Sequence, residues 1–162
     1  MSFTVRKYHA GDFETLYGID RICYSPEIAY TREELHWYLN LPCADCLVAQ
    51  VRNSSKDTRK RTVGFIIAAS QKTHGHIITI DVIRNHRRAG VGTSLLRKAE
   101  NNLLRRGVRE VWLETATDNE PAIAFWQKHG YRNRGRLRNY YPGGLDAFSM
   151  SKPLTKSAPT EK

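Results

Sequence analysis

The segment Arg87-Arg88-Ala89-Gly90-Val91-Gly92-Thr93 sets two arginines, two glycines and a hydroxyl between a β-branched run and an amphipathic one. Glycine permits tight backbone conformations in which successive N–H groups point inward as an anion-binding nest. A helix beginning there adds the positive end of its dipole. Arg87 and Arg88 can supply charge-assisted hydrogen bonds to phosphate oxygens. The combination suits a pyrophosphate. By itself Gly-x-Gly is a weak signal, and a structural turn would also explain it. The dinucleotide pattern G-x-G-x-x-G fails at Leu95, and the chain has no Gly-Lys-Ser/Thr of a P-loop.

Cysteine chemistry has less support. Cys23, Cys43 and Cys46 are odd in number and sparse, which does not suggest a disulfide framework. Cys43-Ala44-Asp45-Cys46 has CxxC spacing, but a zinc site needs two more ligands, and only Cys23 and His36 lie nearby. A redox CxxC would open a thioredoxin-like helix. Reduced, partly buried thiols are expected, with no metal.

The elements around the glycine turn follow from hydrophobic periodicity. Phe3 to Lys7 reads as a strand, and Asp12 can cap a helix whose apolar positions are Phe13, Leu16, Ile19 and Ile22. Thr31-Arg32-Glu33-Glu34 forms a capping box for a second helix with Leu35, Tyr38 and Leu39 on its apolar side. Cys46 to Val51, Thr62 to Ala69 and the β-branched His76 to Ile83 are strand-like. The basic stretch 53–61 reads as a mobile hairpin loop, with Lys60-Arg61 a solvated pair and Asn53-Ser54-Ser55 carrying no glycosylation meaning. Ser94 to Leu104 is an amphipathic helix that Gly107 ends. Val108 to Glu114 is a strand, and Glu120 to His129 a helix with Pro121 in its first turn and Gly130 at its end. Tyr131 to Tyr140 and Ala147 to Lys152 are strands around Pro142-Gly143-Gly144. Beyond Pro153 the residues 154–162 read as a disordered tail. The order β-α-α-β-β-β-α-β-α-β-β implies one α/β (α+β) domain over 1–153, a mixed central sheet with helices on both faces.

Bulk properties agree. A chain of 162 residues can bury one self-sufficient core. No apolar run approaches the roughly 20 residues of a membrane span, and Met1 to Arg6 lacks a signal peptide's apolar region. A cytoplasmic protein, monomer or weak dimer, is expected. The net charge of +10 favours anionic ligands, and ribosome or RNA association through that basic charge is a candidate. The basic residues are scattered, however, without zinc-finger spacing or an aromatic nucleic-acid signature.

Taken together, these features resemble the GNAT acetyltransferase superfamily. Arg87-Arg88-Ala89-Gly90-Val91-Gly92 matches its Arg/Gln-x-x-Gly-x-Gly/Ala signature after a strand, and Leu113 to Asn119 and Ala122 to Tyr131 match its second block. The resemblance runs from about Phe3 to Pro153. It implies acetyl-CoA as donor, with coenzyme A as product. Ile80, Asp81 and Val82 would border the acetyl-pantetheine arm, the Val82 backbone binding it. Arg87, Arg88, Gly90, Val91, Gly92 and Thr93 would hold the pyrophosphate, and Asn119 would bond the cofactor near its pantetheine.

Within the superfamily the chain looks most like RimI-type protein N-terminal acetyltransferases. Glu114 and Asn119 fall at the spacing of their catalytic Glu and cofactor Asn. Arg138-Asn139-Tyr140-Tyr141 and Asp146-Ala147-Phe148-Ser149-Met150 resemble their closing hairpin. The likeness implies that Tyr140 and Tyr141 wall a peptide channel, with the Tyr24 to Tyr30 loop, Tyr30 included, at the substrate entrance. That loop departs from the Phe-Pro-x-x-Trp usual there, which leaves the acceptor open between an N-terminal α-amine, a small amine and a lysine. Glu114 is the candidate general base, working through a water, unless it only pairs with an arginine. Asp81 is its rival, on the polar side of its strand with Thr79, and could hold the substrate ammonium. Where the family usually has the Tyr that protonates the leaving thiolate, this chain has Trp126, whose indole cannot. Trp126 is expected beneath the cofactor, with Tyr140 or Tyr141 as proton donor. A thiol with pKa near about 8.5 also leaves tolerably unassisted. The rival from another class is an acetyl-CoA-binding or RNA-associated module without turnover.

Overall fold

The computed structural model describes residues 2–52 and 59–155. Strand β1 (Phe3–Lys7) passes through a 3-10 turn at Ala10–Asp12 into α1 (Phe13–Cys23), and α2 (Arg32–Leu39) follows. Strands β2 (Ala44–Arg52), β3 (Lys60–Gln71) and β4 (His74–Val82) come next. A second 3-10 turn at Arg84–His86 precedes α3 (Val91–Arg105). The chain then runs through β5 (Glu110–Ala116), α4 (Glu120–Lys128), β6 (Arg132–Leu137) and β7 (Ala147–Pro153). Strands and helices succeed one another as the periodicity predicts.

The seven strands form one sheet in the order β1-β2-β3-β4-β5-β7-β6. Only β4 and β5 are parallel; the other neighbours are antiparallel. On one face Leu16 and Ile19 of α1 and Leu35 of α2 cover Val48, Phe65 and Ile67. On the other, Leu95, Leu96, Ala99 and Leu103 of α3 lie over Leu47, Ile66, Ile77 and Leu113. Their three- and four-residue spacing makes the single apolar stripe a sheet-covering helix needs. This is the mixed sheet with helices on both faces.

Local signals set most boundaries. Thr31 Oγ1 accepts the Glu34 N–H at 3.1 Å, and Glu34 Oε2 accepts the Thr31 N–H at 2.8 Å, so the capping box forms. Gly107 follows α3 at φ +87°, a conformation that costs a side-chain-bearing residue about 1–2 kcal/mol.

Several expectations change. Asp12 does not cap α1: its oxygens take the Arg6 guanidinium at 2.7 and 2.8 Å and the His9 N–H at 3.0 Å. The hydrogen bond from Arg6 holds the Asp12 carboxyl below the usual carboxylate range. Ile22 is 73% exposed, because the inward stripe from Leu16 passes through Ile19 and Asp20. Lys60 and Arg61 belong to β3 rather than to a loop. The Asn53-Ser54-Ser55 triplet and the rest of 53–58 lie outside the described residues. β6 ends at Leu137, short of Tyr140, because Asn139 turns to φ +51° and gives its N–H to Asp146. Tyr131, expected to open that strand, is 1% exposed in the core instead. Leu154 is no tail residue: it is buried, and its N–H bonds the Arg109 carbonyl at 2.7 Å. Residues 156–162 lie outside the described residues. No helix among the described residues is long and apolar enough to cross a membrane.

Candidate active site

The parallel strands β4 and β5 pair only over His74↔Glu110, Gly75↔Val111 and His76↔Trp112. Beyond His76 they part, and a fork opens in the middle of the sheet. β4 bulges at Ile78, between the pairs Ala68↔Ile77 and Ile67↔Thr79; beyond the bulge, antiparallel alternation commits the backbone groups of Thr79 and Asp81 to β3, so those of Ile80 and Val82 turn toward the fork. Their carbonyls and that of Ile78 are already occupied. Tyr30 Oη donates to Ile78 O at 3.1 Å, Tyr24 Oη to Ile80 O at 3.2 Å, and Arg87 Nε to Val82 O at 2.8 Å. The N–H groups of Ile80 and Val82 are what this edge leaves open to a ligand.

The glycine turn closes the wide end of the fork. Gly90 is the residue before α3, at φ +83°, and Arg88 is also left-handed at φ +62°. Gly90 has no side chain to cap the helix, so the N–H groups of Val91, Gly92 and Thr93 remain for an anion. A Cβ on Gly92 would come within 3.4 Å of the Phe125 ring, which therefore lies against the turn. Arg88 is exposed beside the turn. Arg87 is spent partly on the Val82 carbonyl, and so braces the turn against the strand as well as adding charge. Val91 contributes only its backbone, since its side chain is 1% exposed in the core. Thr93 Oγ1 lies 3.1 Å from His129 Nε2, and burial lowers the pKa of that histidine. A pyrophosphate fits these donors. Asn119 caps α4 with Oδ1, accepting the Ala122 N–H at 3.2 Å, a bond that leaves its amide nitrogen unused by the cap.

On the α1–α2 face of the same fork the structure gathers a second group. Glu114 of β5 and His76 of β4 meet across the fork, Oε2 to Nε2 at 2.6 Å. The Glu114 side chain is 21% exposed, open enough to reach a water. Tyr140 stacks edge-on against Tyr141 with ring centroids 4.9 Å apart, and its hydroxyl lies close enough to Glu114 to feel that carboxylate's charge. Burial, then the charge of Glu114, pushes the Tyr140 phenol well up and Tyr141 up to about 12. Tyr30 packs on Tyr38 at 5.1 Å between ring centroids, completing an aromatic wall.

Two expected site residues sit elsewhere. Asp81 is 1% exposed beneath α1, bonded to the Thr79 hydroxyl at 2.7 Å, so it is enclosed rather than presented to an incoming amine. Trp126 is 5% exposed and packs on Tyr131 in the core, while its neighbour Phe125 faces the glycine turn. Sequence reasoning missed His76, Phe125 and His129, and had Tyr24 only as part of the entrance loop, not as a partner of the Ile80 carbonyl. The spacing of Phe125 and His129 one turn apart on α4 was the one available signal; His76 needed the sheet order.

The model of the Acetyltransferase (GNAT) family matches residues 13–131. The chain is 38% identical over 81 residues to an N-alpha-acetyltransferase of Sulfurisphaera tokodaii, covering 49% of this chain and 48% of that protein. It is 35% identical over 98 residues to the ribosomal protein bS18-alanine N-acetyltransferase of Escherichia coli, covering 59% and 66%. The match thus spans about half the length of the first of these curated relatives. The crystal structure of Ard1 from Thermoplasma volcanium superposes with a TM-score of 0.83 at 27% identity, over 96% of this chain and 100% of that one. The fork, the glycine turn at its wide end and the family match over most of the chain agree: this protein belongs to the GNAT acetyltransferase family.

Proposed function

We propose that the protein transfers an acetyl group from acetyl-CoA to the N-terminal α-amine of a protein or peptide. The observation that carries this reading is Glu114, bonded to His76 just where β4 and β5 separate. There a carboxylate stands at the branch point of a fork whose other wall is an edge of backbone N–H groups. The family match and the N-alpha-acetyltransferase relatives support it.

The residues divide the work. The turn from Arg87 to Thr93 holds the donor's pyrophosphate, the N–H groups of Ile80 and Val82 align its arm, and the Asn119 amide steadies it. Glu114 accepts the ammonium proton through a water and leaves a neutral amine to attack the thioester carbonyl. His76 orients that carboxylate. Tyr140 stays protonated, so it can donate to the departing thiolate, the role Trp126 cannot fill from the core. Tyr30, Tyr140 and Tyr141 form the walls that admit an extended peptide end.

Incubation with acetyl-CoA and a panel of peptides, polyamines, aminoglycosides and lysine-bearing proteins with blocked N-termini tests the proposal. Coenzyme A release with free-N-terminus peptides is the expected result. Release only with small amines or blocked proteins reassigns the acceptor. Tight donor binding without release on any acceptor marks a binding module.

A further inference from the structure

The helical stripe that left Ile22 outside turns Asp20 inward, fully buried, against β4. There it meets Asp81, 1% exposed, within side-chain hydrogen-bonding range. Each carboxyl has one oxygen engaged: Asp20 Oδ2 accepts the Tyr30 N–H at 2.8 Å, and Asp81 Oδ1 accepts the Thr79 hydroxyl at 2.7 Å. Asp20 Oδ1 and Asp81 Oδ2 are buried with no donor among the described residues. Two ionised carboxylates in that position would repel each other and leave both oxygens unsatisfied. One proton between them removes both penalties, because the protonated carboxyl donates to its neighbour and the pair keeps a single charge. Burial raises both groups, Asp20 to about 6 and Asp81 well above the ordinary carboxylate value.

The pair's other partners lead to the open edge of β4. Tyr30, whose N–H rests on Asp20, gives its hydroxyl to Ile78 O. Tyr24, whose hydroxyl lies 3.5 Å from Thr79 Oγ1, gives its own to Ile80 O. Ile80 turns its N–H toward the fork, and Ile78 is the bulge residue of β4 that sets where that open edge begins. We propose that Asp20 and Asp81 share one proton and, through Tyr24 and Tyr30, position the open edge of β4 for the acetyl donor. The acetyl-transfer reading enters only as the identity of that donor. Arg21 of α1, Glu34 of α2, Cys23, Tyr24, Tyr30 and Cys46 are the other titratable groups that feel the pair. Arg21 and Glu34 oppose each other in sign at neutral pH. The pair's own burial and mutual repulsion therefore govern where it titrates.

The test uses the full chain. Infrared spectra at neutral pH should show the carbonyl band of one protonated carboxyl, lost in Asp81→Asn; a spectrum with both carboxyls ionised overturns the shared proton. Calorimetric binding of coenzyme A, well below the melting temperature, reads the positioning role. Asp81→Leu should weaken binding about tenfold, the loss of a buried hydrogen-bonded partner. Asp81→Asn, whose amide donates to Asp20 as the carboxyl O–H did, should recover most of that loss. Tyr24→Phe, which removes one hydroxyl and keeps the ring, should weaken binding about threefold, and it decides the matter if Asp81→Leu does not fold. Wild-type affinity in the folded Asp81→Leu and Tyr24→Phe variants overturns the positioning role. A wild-type protein that binds coenzyme A yet acetylates no amine sinks the transferase reading while leaving this one standing.

Discussion

At the α3 end of the fork the groups left open are backbone: the N–H groups after Gly90 and those along the edge of β4, with arginines beside them. At the opposite end they are side chains from separate elements: Glu114 from β5, His76 from β4, Tyr140 from the loop before β7, and Tyr30 from the loop before α2. The donor end depends on a conformation that a few consecutive residues encode. The acceptor end depends on which strands become neighbours. A backbone cradle tolerates side-chain change except where a conformation or a close approach forbids it, whereas a constellation of side chains fails one residue at a time.

The largest expected effect breaks the acceptor end alone. Glu114→Gln should lower kcat about a hundredfold or more, the range of general-base catalysis, while coenzyme A affinity by calorimetry holds. An equal loss of affinity would mean that the two ends are not separable. Gly90→Glu should do the reverse and weaken coenzyme A binding about thirtyfold, because φ +83° strains a side-chain-bearing residue and the new carboxylate opposes the pyrophosphate. Unchanged affinity there would move the donor site elsewhere.

His76→Ala should cost about tenfold in kcat, as loss of an orienting hydrogen bond, with both Michaelis constants little changed. A fall as deep as that of Glu114→Gln would make the histidine the base. The pH dependence of stability separates the buried acid pair from both ends. Asp20 is raised from its ordinary 3.8 to about 6, so the stability it contributes is present below the unfolded value and lost as pH rises through about 6. Urea midpoints should therefore fall more steeply across that window in wild type than in Asp20→Asn, and parallel curves would contradict the raised value. Smallest of all, Trp126→Tyr should change kcat by less than about threefold, since that side chain is sealed in the core and its replacement mainly loosens packing. A clear gain in rate would show that the position reaches the leaving group after all.

Most of the fold was legible because its signals are local. The Thr31–Glu34 box, Gly107, the stripe of α3 and the glycine turn each lie within a few residues, and each formed where the pattern put it. Asp12 and Ile22 misled for one reason: both fit a helix pattern read in isolation, while Arg6 and the phase of α1 against the sheet decided their surroundings. Asp81 looked like a site residue because a carboxylate among apolar strand residues needs an explanation. The explanation was Asp20, which nothing in the spacing of the chain connects to it.

The amino-acid order by itself determined the element order, the capping box of α2, the mixed α/β class and a turn able to bind an anion, because periodicity and backbone preference act over a few neighbouring residues. Tertiary structure alone decided that β4 and β5 part after three paired positions and that His76 and Glu114, 38 residues apart, come within 2.6 Å. It also decided that Asp81 is sealed under α1 and Trp126 in the core. Those outcomes depend on sheet order and helix phase, which emerge only when distant segments compete to bury the same apolar surface.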